Sequence, residues 1–159
     1  MILIRLHKIF QSLKQANLTI VTGGLGPTHD DITKKAVADL FESELVKNAK
    51  VLNHIKRIFE KRGFVMSESN REQALVPDSC EVLFNAQGTA PGMWFEKDGN
   101  FLAVLPGVPY EMKHLMEAQV SKKISEYFPE RDTVVTEYFK TAGIPESTLS
   151  DRIGNLEEY

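Results

Sequence analysis

Among the 159 residues there is one cysteine and one tryptophan, the 19 lysines and arginines do not outnumber the 22 aspartates and glutamates, and no apolar run approaches membrane length. Each shortage excludes something. A lone Cys80 closes no internal disulfide and builds no cysteine-based zinc site, so a reducing compartment is expected and Cys80 is read as a small buried hydrophobe. A net charge of −3 leaves no broad basic face for a phosphodiester backbone, which argues against nucleic acid as the ligand. The opening Met1-Ile2-Leu3-Ile4-Arg5-Leu6 is apolar, but a bilayer takes about 20 such residues and Arg5, His7 and Lys8 interrupt it. Neither signal peptide nor membrane span is read, and the cytoplasm is the expected location. What is present, 42% hydrophobic and 26% charged residues, suits a chain with one packed core.

The most informative stretch is Thr22-Gly23-Gly24-Leu25-Gly26-Pro27-Thr28-His29-Asp30-Asp31. It follows Leu18-Thr19-Ile20-Val21, a β-branched apolar run that reads as a buried strand. It precedes Ile32 to Phe41, where Ile32, Ala36, Val37, Leu40 and Phe41 recur at helical spacing. Glycines at a strand-to-helix turn let a ligand approach the backbone, and unpaired amides there favour an anion. Asp30 or Asp31 adds a carboxylate, and an anion facing a carboxylate calls for a hard divalent cation such as Mg²⁺ between them. Asp30 as a simple helix N-cap is the competing reading. The glycine spacing fits neither the P-loop nor the dinucleotide fingerprint.

Upstream, Ile2 to Lys14 carries an apolar stripe and is expected to be an amphipathic helix. Downstream, Leu45 to Lys61 reads as a second amphipathic helix stopped by Gly63, with His54 as filler rather than ligand. Ser67 to Ala74 reads as a short polar helix in which Asn70, Arg71 and Gln73 are candidate partners for a phosphate, or simply a solvated face. Glu81 to Phe84 is a short strand, followed by the small-residue loop Asn85-Ala86-Gln87-Gly88-Thr89-Ala90-Pro91-Gly92. Met93 to Glu96 and Phe101 to Leu105 form a hairpin about Asp98-Gly99. A third glycine loop, Leu105-Pro106-Gly107-Val108-Pro109, opens a helix from Tyr110 to Phe128. Glu111 in its first turn either complements the helix dipole or serves as a ligand, and His114 is read as structural. Thr133 to Lys140 alternates as an edge strand would, and a last helix runs from Gly143 through Ile153. Loops at the carboxyl ends of neighbouring strands are where open α/β sheets bind ligands, so the three are expected to share one pocket.

The first loop resembles the signature of the molybdopterin-binding (MoaB/Mog-like) fold in the version carried by the amino-terminal domain of the CinA, or competence/damage-inducible, family, with the family aspartate falling on Asp31. Asn70-Arg71-Glu72-Gln73-Ala74-Leu75-Val76-Pro77 is similar to the family's Asn-x-x-Gln-Ala-x-x-Pro, and Gly88-Thr89-Ala90-Pro91-Gly92 matches another of its loops. The resemblance covers roughly Leu13 to Ile153. It implies a three-layer α/β/α sandwich with a mostly parallel sheet over residues 1–130, and the beginning of a CinA-type additional α+β subdomain over 131–159. The family's usual opening strand-loop-helix unit, with a Val-Gly-x-Glu-Leu-Leu-like motif, and the carboxyl-terminal deamidase domain carried by many members have no counterpart here, so truncation at the amino-terminal side is expected.

The resemblance implies a metal-dependent nucleotide pyrophosphatase acting on ADP-ribose or a related dinucleotide pyrophosphate, with Mg²⁺ or Co²⁺. Asp31, and with it Asp30, would be catalytic and hold the metal. Thr22, Gly23, Gly24, Gly26, Pro27 and Thr28 would bind phosphate from the first loop. Asn70, Gly88, Thr89, Gly107, Pro109 and Glu111 would complete the pocket. Two alternatives stand beside this: molybdopterin binding or adenylylation in molybdenum-cofactor synthesis, whose proteins have Thr-Gly-Gly-Thr-Gly and a later Arg-Asp where this chain has Leu25 and Asp30, and a non-catalytic nucleotide-binding module. A homo-oligomer, dimer or trimer, is expected in each case.

Overall fold

The computed structural model describes residue 9 and residues 11–28, 31–129, 134–138 and 140–154. It divides into two compact units, Met1–Pro129 and Glu130–Tyr159. Of the expected opening helix, residues 9 and 11–15 are helical and the remainder lies outside the described residues, as do His29 and Asp30.

In the first unit, strands β1 (Leu18–Thr22), β4 (Glu81–Leu83), β5 (Gly92–Lys97) and β6 (Asn100–Leu105) form one sheet in the order β1-β6-β5-β4. The two-residue pattern along β5 and β6 sorts the core. Met93, Phe95, Leu102 and Val104 point to one face, where they meet Leu13, Leu25 and Val37. Trp94, Phe101, Ala103 and Leu105 point to the other, against Leu83, Leu115 and Val120. Both faces are thus covered by helices, the helical residues 11–15 with α1 (Thr33–Leu40) on one side and the helix that begins at Pro109 on the other. The unit is a three-layer α/β/α sandwich.

The sheet is mixed. β1 runs parallel to β6, whereas β5 is antiparallel to β6 and to β4. This corrects the expectation of a mostly parallel sheet over the described strands, and the cause is local. Lys97 pairs with Asn100 across a two-residue turn in which Asp98 and Gly99 both have positive φ (54° and 76°), the backbone of a tight hairpin that reverses the chain.

The pairing register brings the loops together. Thr22 pairs with Leu105, so the loops leaving these parallel strands emerge at the same level. Gly92 pairs with Leu83, and Met93 with Val104, so the loop between β4 and β5 arrives at that same end.

Two further expectations change, those for Leu45 to Lys61 and for the helix after Pro109, whereas the short polar helix after Ser67 is present. Leu45 to Lys61 is not one helix: β2 (Leu45–Lys47) pairs antiparallel with β3 (Leu75–Pro77), and α2 begins only at Ala49, extending to Lys61. Asn48 enforces the break, since its Oδ1 accepts the Val51 amide at 3.0 Å as an N-cap. The polar helix α3 spans Glu68–Glu72, capped by Ser67. The long helix has α4 (Pro109–Leu115), a π-helical segment at Met116–Val120 and α5 (Ser121–Tyr127) in succession.

In the second unit, residues 134–138 form no strand; alternation of Val134, Thr136 and Tyr138 has no partner strand among the described residues. Helix α6 runs from Glu146 to Ile153. No helix among the described residues is long and apolar enough to cross a membrane.

Candidate functional site

A cavity of about 320 Å³ opens where the three loops meet. Gly24, Gly26 and Pro27 of the first loop, Thr89 of the second and Gly107 of the third line it, together with Asp31, Gln73 and Glu111. The first and third loops touch closely: a β-carbon at Gly107 would stand 3.1 Å from the Gly23 Cα, tighter than a side chain tolerates without backbone adjustment.

Not every amide of the first loop is available for an anion. The Gly23 N–H donates to the Leu105 carbonyl at 2.9 Å, continuing the parallel ladder by one residue. The amides of Gly24 and Leu25, and those of Gly107 and Val108 opposite, have no acceptor among the described residues. These four residues line the cavity, and their amides would take a ligand or water as partner.

Asp31 is held in place by Thr28, whose amide donates to Asp31 Oδ2 at 3.0 Å and whose hydroxyl donates to the same oxygen. Burial by itself would raise the carboxyl pKa. The Thr28 and Gly26 hydrogen bonds and the Lys34 charge outweigh it and hold the group below its ordinary value, so Asp31 is an anion at neutral pH.

Across the cavity, Glu111 is 8% exposed and accepts the Asn85 Nδ2 at 2.7 Å. Asn85, 2% exposed, is the staple of the second loop. Its Nδ2 also reaches the Ala90 carbonyl at 2.9 Å, and its Oδ1 accepts the Gln87 and Gly88 amides. His54 Nε2 donates to the Gly88 carbonyl at 3.2 Å from the far side, and its ring meets Phe84 edge-on. His54 therefore braces the loop, whereas the sequence suggested only filler.

Other expected site residues lie elsewhere. Thr22 and Gly23 border a neighbouring cavity of about 490 Å³ with Ile32, Thr33 and Ala36. Thr28 faces a smaller cavity on the opposite side of Asp31. Gly88 packs behind Glu111 and does not line the site; a β-carbon there would collide with the carboxylate. Pro109 starts α4 and is absent from the cavity wall. Asn70 turns away: its Nδ2 and its amide donate to Ser67 at 2.7 and 3.3 Å, as an N-terminal turn demands. Arg71 pairs with Glu68 at 3.4 Å on the surface.

Lys34 and Asn85 were not singled out from the sequence. The only signal for Lys34 was its position one turn after Asp31; for Asn85 it was a turn-forming residue at a strand end. Lys34 donates to the Glu72 and Gln73 carbonyls at 3.3 and 3.2 Å. Burial pushes its pKa down to about 8, against the opposing charges of Glu72, Asp31 and Cys80. Since the unfolded lysine keeps its proton to about pH 10.5, the folded chain releases this proton first, and Lys34 contributes stability that rises between about pH 8 and 10. Burial pushes Cys80 up to about 12, and above pH 9 that thiol acts in the opposite sense. Urea unfolding at about pH 7 and about pH 9 is expected to show the wild type gaining stability relative to Lys34→Met; equal changes in both would contradict the assignment.

Among the described residues no three His, Cys, Asp or Glu side chains cluster so as to cage a metal. Asp31 and Glu111 on one cavity nevertheless fit a hard cation of the Mg²⁺ kind, which takes one or two carboxylates and completes its shell with water and phosphate oxygens.

Residues 4–126 match the family described as a probable molybdopterin binding domain. The chain is 45% identical over 154 residues to a CinA-like protein of Cytophaga hutchinsonii, covering 94% of this chain and 37% of that protein. It is 45% identical over 147 residues to a CinA-like protein of Flavobacterium psychrophilum, covering 91% and 34%. The chain thus spans about a third of the length of these relatives. The crystal structure of the protein CinA from Thermoplasma acidophilum, described as of unknown function, superposes with a TM-score of 0.65 at 32% identity, covering 74% of this chain and 68% of that one.

Proposed function

Because the chain belongs to the molybdopterin binding domain family and is CinA-like, we propose that its cavity binds a nucleotide pyrophosphate such as ADP-ribose and hydrolyses it with the help of a divalent cation. One observation supports this above the others. Gly24, Leu25, Gly107 and Val108, whose amides have no acceptor among the described residues, line a cavity that the ionised Asp31 also lines. Amides of this kind receive phosphate oxygens and stabilise charge that grows on them during displacement at phosphorus.

In this reading the phosphate oxygens would take the amides, and Asp31, fixed by Thr28, would hold a Mg²⁺ or Co²⁺ ion. When bound, that ion supplies positive charge to the phosphoryl oxygens and orients water. Glu111, fixed by Asn85, accepts a hydrogen bond from the attacking water or a ribose hydroxyl. The water oxygen bonds to one phosphorus as the bridging P–O bond breaks, so ADP-ribose and water give AMP and ribose 5-phosphate.

Incubating the chain with ADP-ribose and Mg²⁺ or Co²⁺ is expected to yield these two products in equal amounts, and EDTA to stop the reaction. No product with either metal, with nucleotide binding retained, points to a binding module. The family description favours a second ligand of the same chemistry, a phosphorylated pterin. Tighter binding of molybdopterin than of ADP-ribose, without hydrolysis, identifies that case.

A further inference from the structure

Asp31 lines two cavities, of which the larger is the one where the three loops meet. The second, about 190 Å³, shares Gly26, Pro27, Asp31 and Gln73 with the first and adds Thr28, Lys34, Lys35, Ser69 and the carboxylate-bearing Glu72. Its chemistry differs. The larger cavity offers backbone amides, whereas the smaller is approached by two ammonium groups, of which Lys35 is exposed and Lys34 is half-buried. Lys34 spends two of its three N–H protons on the Glu72 and Gln73 carbonyls and keeps one without an acceptor among the described residues. The opposing carboxylate of Glu72 is exposed to solvent and so screened.

A second and independent feature lies at the partition. Gln73 is 4% exposed, borders both cavities, and its Oε1 is buried with no hydrogen-bond donor among the described residues. A buried acceptor without a donor is costly to the fold, and a ligand hydroxyl reached by turning the carboxamide removes that cost.

We infer that the smaller cavity is a sugar-phosphate subsite, in which Lys34 holds the phosphate and Gln73 takes a sugar hydroxyl of the half of the pyrophosphate that leaves without the base. This rests on the reading that a pyrophosphate is cut beside Asp31. It assigns the larger cavity to the nucleoside half and makes Lys34 and Gln73 the residues that discriminate a sugar from other groups on the second phosphorus. Inorganic phosphate shares the charge but carries no sugar hydroxyl, which separates the two sources of anion.

Calorimetric titration of the full chain with ribose 5-phosphate and, separately, with inorganic phosphate tests this. Lys34→Met is expected to weaken ribose 5-phosphate binding about tenfold or more, Lys34→Arg to retain it within about threefold, and the exposed-helix control Lys56→Met to leave it unchanged. Gln73→Leu is expected to weaken ribose 5-phosphate and spare inorganic phosphate. If Lys34→Met does not fold, the Gln73→Leu contrast decides. Ribose 5-phosphate binding that is the same in wild type, Lys34→Met and Gln73→Leu overturns the subsite, as does equal weakening of both ligands by Gln73→Leu. Turnover plays no part here. Lys34-dependent binding without ADP-ribose hydrolysis would overturn the reaction and keep the subsite, and hydrolysis with Lys34-independent binding would do the reverse.

Discussion

Replacing Asp31 with Asn is expected to lower kcat for ADP-ribose hydrolysis by about 10³-fold, roughly 4 kcal/mol of transition-state stabilisation, while leaving the chain folded. The substitution keeps the shape and removes the charge. The Thr28 amide still finds an oxygen at position 31, since the 3.0 Å bond needs only an acceptor, so the turn from 28 to 31 survives. What disappears is the anion that Thr28, Gly26 and Lys34 together keep below its ordinary pKa. The charged group that would hold the cation is then gone. Timed assays of AMP release by wild type and variant, with urea unfolding as the control for folding, check the claim. A kcat within about threefold of wild type would remove Asp31 from the chemistry.

Gly88→Ala carries the largest expected cost to the architecture of the site. The added methyl would occupy the space of the Glu111 carboxylate, and neither partner is free to retreat. Glu111 is pinned by the 2.7 Å bond from Asn85, and the loop backbone is pinned through Gly88 on both sides, by Asn85 Oδ1 at its amide and His54 at its carbonyl. Overpacking of this kind costs about 1–3 kcal/mol, which for a chain of this length lowers Tm by roughly 2 to 12 °C. Nucleotide affinity should fall with it, because Thr89 and Ala90 of the same loop border the cavity. The double variant Gly88→Ala/Glu111→Ala relieves the collision and is expected to be more stable than the sum of its parts predicts. Strict additivity would show that the methyl is accommodated elsewhere.

Most of what positions the site was readable in the chain. Two-residue alternation along Met93 to Leu105, with Asp98-Gly99 between, marks the hairpin, and its pairing register is what aligns the three loops. The glycines at 23, 24, 26 and 107 mark where backbone must come close to backbone or to ligand. Hydrogen bonds that cross between elements were not readable. Asn48 splits the expected helix at Leu45 because its side chain caps the next turn, an effect of one residue that apolar periodicity at Val46, Val51 and Leu52 conceals. Asn70 looks as available as Gln73 in the sequence, yet Ser67 claims it for the helix start while Gln73 turns into the cavity wall. The Gly23 amide is lost to Leu105 because the parallel ladder runs one residue past the strand. Lys34 sits between the buried Thr33 and the exposed Lys35 with no pattern to mark it, and the approach of the Glu72-Gln73 carbonyls is what ties it to the cavity. The alternation from Val134 to Tyr138 illustrates the converse, since a strand pattern needs a partner strand before it becomes a strand.

The most direct test of the central claim is a crystal structure of the chain with AMP and Mg²⁺. The phosphate is expected between the amides of Gly24 and Leu25 and those of Gly107 and Val108, with the cation on Asp31. A nucleotide phosphate bound anywhere else, or a cation that ignores Asp31 while the nucleotide fills the cavity, would contradict it.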